Sequence, residues 1–153
     1  MKLTSMAFET NGKIPSQYTC DGEGVNPPLI FSDVPPKALS LVLLMDDPDI
    51  PESAKNTYNI TAWDHWVVFN IPPDTKMIAE DSIPNGIVGV GTRGVNAYTP
   101  PCPPDREHRY VFRLYALDRE LKLRENATKA DVQAAMQRHI LAEAGLIGRY
   151  ERK

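Results

Sequence analysis

Length and charge exclude several classes of protein. The 153 residues carry a net charge of -3 with a sequence pI near 5.6, and a chain of this length is expected to form one domain, 1–153. Basic residues are scattered except in a short tail at 149–153, so the positive stripe of a nucleic-acid-binding protein is missing and nucleic acid is not an expected partner.

Short apolar runs separated by Gly, Pro, Asn and Asp dominate residues 1–118, a pattern typical of an all-β sandwich or barrel. The predicted strands, in chain order, are Leu3–Phe8, Leu29–Phe31, Ser40–Asp46, Ala62–Ile71, Ile87–Val90 and Tyr110–Leu117. One helix is predicted over Ala130–Glu143, with Thr128 as its N-cap and Gly145 just past its end. His139 in that helix is interpreted as a partly buried structural residue.

Apolar runs, prolines and cysteines give three further expectations. No apolar run approaches the roughly 18–20 residues of a membrane span, and the N-terminus lacks a secretory signal, so we expect a cytoplasmic protein. With 14 prolines, about one cis peptide bond is expected, in loop 47–51 or loop 100–104. Cys20 and Cys102 could bridge two loops, although a reducing cytosol favours free thiols.

Alternation along the strands brings three polar side chains to apolar rows, because alternate residues of a strand share a face. Asp47 continues the row of Leu41, Leu43 and Met45, and Pro48 ends that strand. His108 begins a row that continues with Tyr110, Phe112, Leu114 and Ala116. The strand with His65 is predicted to place Trp63, His65, Val67, Phe69 and Ile71 on one face and Asp64, Trp66, Val68 and Asn70 on the other.

The stretch MDDPDIP, residues 45–51, puts three carboxylates directly after a buried strand, where unpaired charge is costly. If Asp47 or Asp49 lies beside His65 and His108, the histidines compensate the negative charge, and the carboxylate in turn favours the protonated imidazoles. Two such histidines, with loop N–H groups nearby, predict a small pocket for an anion such as phosphate or a carboxylate. An amine-bearing phosphate head group would satisfy both signs of charge.

Three stretches, MDDPDIP, WDHWVVFNIP and PCPPDREHRYVFRLYALD, resemble the phosphatidylethanolamine-binding protein family, which includes the Raf kinase inhibitor proteins, and more closely its bacterial and archaeal branch. YTCDGEGVNPPLIFSDVP and HILAEAGLIGRYER support the resemblance. It implies an all-β fold of two antiparallel sheets in a Greek-key sandwich with peripheral helices. It also implies one surface pocket, with neither metal nor cofactor, built from Asp47, Asp49, Pro51, Trp63, His65, Cys102, Pro103, Pro104, His108 and Tyr110.

The chain departs from the bacterial pattern in one loop. Thr99 and Pro100 stand where two glycines are common, and Arg106 stands where a glycine is usual, so this loop is stiffer. The C-terminal helix that caps the pocket in eukaryotic members has no counterpart after Tyr150, which predicts a more open site.

Three functions follow from these residues. The first is a non-enzymatic protein that binds a small anion or phosphorylated head group and, as the resemblance suggests, regulates or inhibits a protease or kinase. The second is a hydrolase with Cys102 or a serine as nucleophile, His65 or His108 as base and Asp47 as orienter, although no G-x-S-x-G motif occurs. The third is a zinc site formed by both histidines and a carboxylate. A homodimer through an exposed sheet face is also left open.

Overall fold

Strands dominate the computed structural model, which describes residues 1–152 and confirms the expectation of a mainly β protein. The strands are β1 (Lys2–Thr4), β2 (Gly12–Lys13), β3 (Leu29–Ser32), β4 (Ser40–Asp47), β5 (Trp63–Ile71), β6 (Met77–Ile78), β7 (Ile87–Val88), β8 (His108–Leu117) and β9 (Ile140–Tyr150). The helices are α1 (Glu52–Tyr58), α2 (Lys129–Met136) and a 3-10 turn, Ser16–Tyr18. No helix within 1–152 has the length and apolar character of a membrane span.

The strands form two sheets. The larger has the order β2-β9-β8-β4-β5-β7, and the smaller has the order β1-β3-β6. Neighbouring strands are antiparallel except β2 and β9, which are parallel, so the expectation of purely antiparallel sheets is wrong at that pair. The Greek-key connection stays a prediction.

The large sheet is covered on both faces, and β4 at its centre is buried along its whole length. One core cluster joins this sheet to the small one and includes Leu41, Leu43, Met45, Phe112 and Leu114 together with Leu29 and Phe31. The second cluster lies under α2 and includes Val42, Leu44, Val67, Phe69, Val132 and Met136. The alternation predicted for β4 and β8 matches this division.

Strict alternation is wrong for β5. Met45 pairs with Trp66 while Asp46 pairs with Asp64, so His65 is an extra residue at a bulge. The residues just after the bulge therefore lie on the faces opposite to those predicted. Trp66, which alternation places on the other face from His65, lies in the core between the sheets. His65 lies on that same side, because its ring packs edge-on against Tyr110 at 5.3 Å between centroids.

The predicted helix Ala130–Glu143 is wrong in its second half. Thr128 is the N-cap, as expected, and forms a capping box with Asp131. The helix ends at Met136, however, and Arg138 turns the chain with a φ of 69°. The following segment, although rich in Ala, Leu and Glu, pairs with β8 from Leu117 to His108 as β9, because long-range pairing outweighs local helix propensity. Gly145 therefore lies within a strand.

The expectations of a cis peptide bond and of free cysteine thiols are also wrong. No peptide bond within residues 1–152 is cis, so the prolines of loops 47–51 and 100–104 are trans. Cys20 and Cys102 form a disulfide bond, contrary to the favoured expectation of free thiols. His139 lies in the turn before β9, where its Nδ1 is 2.8 Å from an Asp118 oxygen, which agrees with a structural role.

We predict that Leu114→Ala lowers the free energy of unfolding by about 2–5 kcal/mol, because the side chain is fully buried between the sheets and its removal leaves a cavity. Leu39→Ala is the matched control: Leu39 is 58% exposed, so its change should stay within about 0.5 kcal/mol. Urea denaturation of both variants measures the difference. Equal effects would contradict the assignment of the core.

Candidate functional site

A cavity of about 360 Å³ opens at one end of the large sheet, where β4 ends and β5 and β8 begin. Its lining consists of Cys20, Asp47, Ile50, Pro51, Ala54, Trp63, His65, Arg93, Thr99, Pro100, Cys102, Pro104, His108 and Tyr110. Every residue that the sequence predicted for the pocket is in this set except Asp49 and Pro103. We call this cavity the strand-end pocket.

Strand order explains why distant parts of the chain meet here. β4 lies between β5 and β8, antiparallel to both, so its last residue is beside the first residues of its neighbours. Asp47 pairs directly with Trp63 of β5, and Asp46 pairs with Val111 near the start of β8. The turn after Asp47 then leads into α1, which contributes Ala54 to the lining.

His108 lies between two carboxylates. Its Nδ1 is 2.6 Å from Asp47 Oδ2 and its Nε2 is 2.6 Å from Asp105 Oδ1. A carboxylate accepts hydrogen bonds, so the His108 ring lies between two acceptors. The hydrogen bond from His108 lowers the pKa of Asp105, an exposed residue. Asp47 Oδ1 accepts from the Asp49 N–H at 2.8 Å, so both oxygens of Asp47 are in use.

His65 differs from His108 because it has no carboxylate at its ring. Its Nδ1 lies 2.7 Å from the carbonyl oxygen of Thr99, to which it donates. Burial lowers the pKa of His65, although the bond to Thr99 and the charge of Asp47 act in the opposite direction. The expectation that both histidines are protonated is therefore wrong for His65. Its neutral ring presents Nε2 as a hydrogen-bond acceptor.

Two buried hydroxyl groups at the pocket lack partners. Tyr110 is fully buried and Thr99 is 7% exposed, and neither Tyr110 Oη nor Thr99 Oγ1 makes a hydrogen bond of normal geometry to any residue in 1–152, although the Asp47 carboxylate lies close enough to Tyr110 Oη to interact with it. Burial first, and then the negative charge of Asp47, raises the pKa of Tyr110, so its proton is retained. Buried polar groups are normally paired, so these two hydroxyls are exceptions among the residues of the pocket lining.

The other two carboxylates of MDDPDIP have partners outside the pocket. Asp49 binds Arg109 through both oxygens, at 2.9 and 2.8 Å, and accepts the Arg109 backbone N–H at 2.8 Å. These hydrogen bonds lower the pKa of Asp49 to about 2. Of the two carboxylates expected beside the histidines, Asp47 or Asp49, Asp47 is the one that contacts His108.

Asp46 faces the opposite side of the sheet. Lys129 Nζ lies 2.9 Å from Asp46 Oδ2 and 2.7 Å from Asp64 Oδ1. Burial lowers the pKa of Lys129, but the bonds to Asp64 and Asp46 prevail and hold it above its usual value. A single lysine thus joins the end of β4 to the start of β5 behind the pocket.

The proline-rich loop offers few backbone donors to a ligand. The N–H of Thr99 is bonded to the His65 carbonyl oxygen at 3.0 Å, and Pro100, Pro101, Pro103 and Pro104 have no N–H. Thr99 therefore contributes a buried hydroxyl to this loop but no free backbone N–H. Pro103 is buried beside the pocket rather than in its lining.

The structure also bears on the hydrolase and zinc hypotheses. The sulfur of Cys102 is bonded to Cys20, so no thiol nucleophile is present in this form, and no serine is among the lining residues. Within 1–152 no three His, Cys, Asp or Glu side chains are grouped so as to hold a metal ion.

Sequence reasoning missed several lining residues. Thr99 carried a signal, because it departs from the glycine of the bacterial pattern. Arg93, an exposed residue at the rim, and Cys20 come from loops whose position follows only from the tertiary structure. Together the lining offers two hydroxyl donors, one imidazole acceptor and apolar sides from Trp63 and the prolines.

Comparisons with known proteins agree with this fold. The profile of the family described as "Phosphatidylethanolamine-binding protein" matches residues 4–151. A UPF0098 protein of Methanothermobacter thermautotrophicus is 48% identical, and one of Chlamydia trachomatis is 46% identical; each match covers 99% of both chains.

Two crystal structures are similar over nearly the whole chain. One is a phosphatidylethanolamine-binding protein homologue from Chlamydia trachomatis, with a TM-score of 0.95, 45% identity and coverage of 99% of this chain and 97% of that one. The other is Escherichia coli YbcL, described as a member of the mammalian PEBP family, with a TM-score of 0.87, 26% identity and coverage of 99% and 98%.

We predict that the protein loses stability as the pH falls below about 6.5, the ordinary histidine pKa. The folded pKa of His65 is lowered, so below that pH the unfolded chain binds more protons and the free energy of unfolding decreases. His65→Asn, whose amide can still donate to Thr99, should flatten this dependence between pH 5 and 6.5, by about the contribution of one group. Denaturation at several pH values measures it.

His139→Asn is the control, since His139 lies outside the pocket and pairs with Asp118. A His65→Asn variant that keeps the full dependence of the wild type would contradict the assignment of His65 as a buried neutral ring.

Proposed function

The chain belongs to the phosphatidylethanolamine-binding protein family, and on that premise we propose that the strand-end pocket binds a small oxyanion, such as phosphate or a phosphorylated head group. The observation that carries the proposal is the pair of buried hydroxyls, Tyr110 Oη and Thr99 Oγ1, which lack partners within 1–152 and belong to residues of the pocket lining. Hydroxyl donors in a site with apolar sides suit an acceptor-rich oxyanion.

His65, next to these hydroxyls, determines which protonation state of phosphate the pocket prefers. His65 is neutral, with Nδ1 donating to Thr99 and Nε2 accepting. Phosphate as its monoanion can accept from Tyr110 and Thr99 and donate its own O–H to Nε2. A fully ionised phosphate would instead require His65 to take up a proton. In either case one proton accompanies the ligand, so acidic pH favours binding.

Other groups set the charge around the ligand. Asp47 and His108 are paired through their 2.6 Å contact, and each Asp47 oxygen already accepts one hydrogen bond. We propose that the phosphoryl group is the part of the ligand that the strand-end pocket recognises. Arg93 at the rim adds a positive charge near the entrance.

We propose a binding role without catalysis, since the pocket lining offers a disulfide-bonded cysteine and no serine as nucleophile. From the family resemblance we further propose that occupancy of the pocket regulates a protein partner, such as a protease or kinase. A cytoplasmic location and a homodimer stay predictions.

We predict that Tyr110→Phe weakens phosphate binding by about tenfold to a hundredfold, because a hydrogen bond to a charged group contributes about 1.5–3 kcal/mol. Titration calorimetry with inorganic phosphate measures the change. Tyr115→Phe is the matched control: Tyr115 is also buried in β8 but lies in the cluster under α2, so its affinity should equal that of the wild type. Equal affinities of Tyr110→Phe and the wild type would contradict the proposal.

We also predict that phosphate affinity decreases as the pH rises from about 5 to 8, with a proton uptake that grows towards one at the alkaline end, because the complex keeps a proton, on the phosphate or on His65, that the free species lose. Titrations in buffers with different ionisation enthalpies give the proton count. His65→Asn should bind more weakly and show less proton uptake. Unchanged affinity in the double variant His65→Ala, His108→Ala would sink the assignment of the site.

A further inference from the structure

The Cys20–Cys102 disulfide lies at the strand-end pocket. Both cysteines are part of its lining, and both are exposed to solvent. They are 82 residues apart in sequence, so the bond ties the segment after the 3-10 turn to the proline-rich loop. A soluble thiol can therefore reach a bond that forms part of the binding site.

The proline-rich loop, defined as residues 99–105, holds both pocket histidines. At its start, the Thr99 carbonyl oxygen accepts from His65 Nδ1 at 2.7 Å. At its end, the Asp105 carboxylate accepts from His108 Nε2 at 2.6 Å. Cys102 lies midway between these two contacts. The position of the loop therefore affects the orientation of both imidazole rings.

Few hydrogen bonds fix the middle of this loop, although Pro101 and Pro103, on either side of Cys102, are buried. Its prolines donate no hydrogen bonds, so it cannot join a sheet. The segment with Cys20 contributes one backbone bond to the loop, from Cys20 N–H to the Pro101 carbonyl oxygen at 3.0 Å, and the neighbouring Tyr98 hydroxyl donates to the Tyr18 carbonyl oxygen at 2.9 Å. The disulfide is the covalent link across this junction.

We propose that the Cys20–Cys102 disulfide is a redox modification site that regulates the strand-end pocket, with the oxidised form binding the oxyanion more tightly than the reduced form. The proposal rests on the anion-binding function proposed above. The co-reactant is a dithiol. One of its thiolates attacks a cysteine sulfur, forms a mixed disulfide and releases the other cysteine as a thiolate, which takes a proton.

The second thiolate of the dithiol then displaces the remaining cysteine. The co-reactant leaves as a cyclic disulfide, oxidised by two electrons, and the protein gains two thiols. Once the bond is broken, the middle of the loop is held only by the packing of its buried prolines and one backbone hydrogen bond, and ligand binding must order it further together with His65 and His108. Ordering costs of this kind predict a roughly five- to thirtyfold weaker affinity in the reduced protein.

Calorimetric titration of inorganic phosphate into oxidised and dithiothreitol-reduced protein tests the proposal, with the number of free thiols counted in each sample. We expect weaker binding after reduction, recovery after reoxidation, and the reduced affinity in the double variant Cys20→Ser, Cys102→Ser. Dithiothreitol treatment of this double variant is the control, because it has no disulfide to lose and its affinity should not change. Equal affinities of the oxidised and fully reduced proteins would overturn the proposal.

A second measurement separates this inference from the proposed function. Long-range ¹H–¹⁵N spectra of the imidazole rings, recorded without phosphate, should show His65 and His108 signals that shift on reduction while His139 stays unchanged. If oxidised protein does not bind phosphate, the proposed function fails, and the ring signals still test the redox link. Two results would overturn the inference: ring signals of His65 and His108 that do not shift on reduction, or global unfolding on reduction seen by circular dichroism. Either would show that the disulfide has a purely structural role.

Discussion

The strand-end pocket depends on the placement of β4 between two antiparallel partners. Because β5 and β8 both begin where β4 ends, three residues that are far apart in sequence, Asp47, His65 and His108, meet at one edge of the sheet. The same geometry sends Asp46 to the opposite face, where Lys129 neutralises it. The acidic stretch at the end of β4 is therefore compensated, because each of its three carboxylates has its own partners: Lys129 and Arg113 for Asp46, His108 for Asp47 and Arg109 for Asp49.

Much of the site could be predicted from the sequence where strands are regular. In β4 and β8 alternation holds, so Asp47 and His108 were assigned to the correct face. In β5 the bulge at His65 exchanges the faces, and no residue pattern in that segment marks an insertion that depends on the partner strand. The partner of Asp49 could not be predicted, because Arg109 comes from β8 and only the register brings the two together.

The remaining errors also come from long-range contacts. The segment of β9 has the composition of a helix, but β8 offers a complete strand to pair with, and a helix there would leave that edge open. The disulfide joins cysteines with a sequence separation of 82, and local composition gave no sign that the fold brings them together. Compartment statistics pointed towards free thiols, whereas the fold places both cysteines at one junction.

Lys129 extends the set of positions on which selection for the pocket acts. It contacts Asp46 and Asp64, which are the immediate chain neighbours of Asp47 and His65, yet it lies on the far face of the sheet. A substitution of Lys129 would disturb Asp46 and Asp64, and each of these is joined by one peptide bond to a pocket residue, Asp47 or His65. Positions 46, 64 and 129 should therefore covary among relatives, and a survey restricted to the lining residues would overlook this evolutionary coupling.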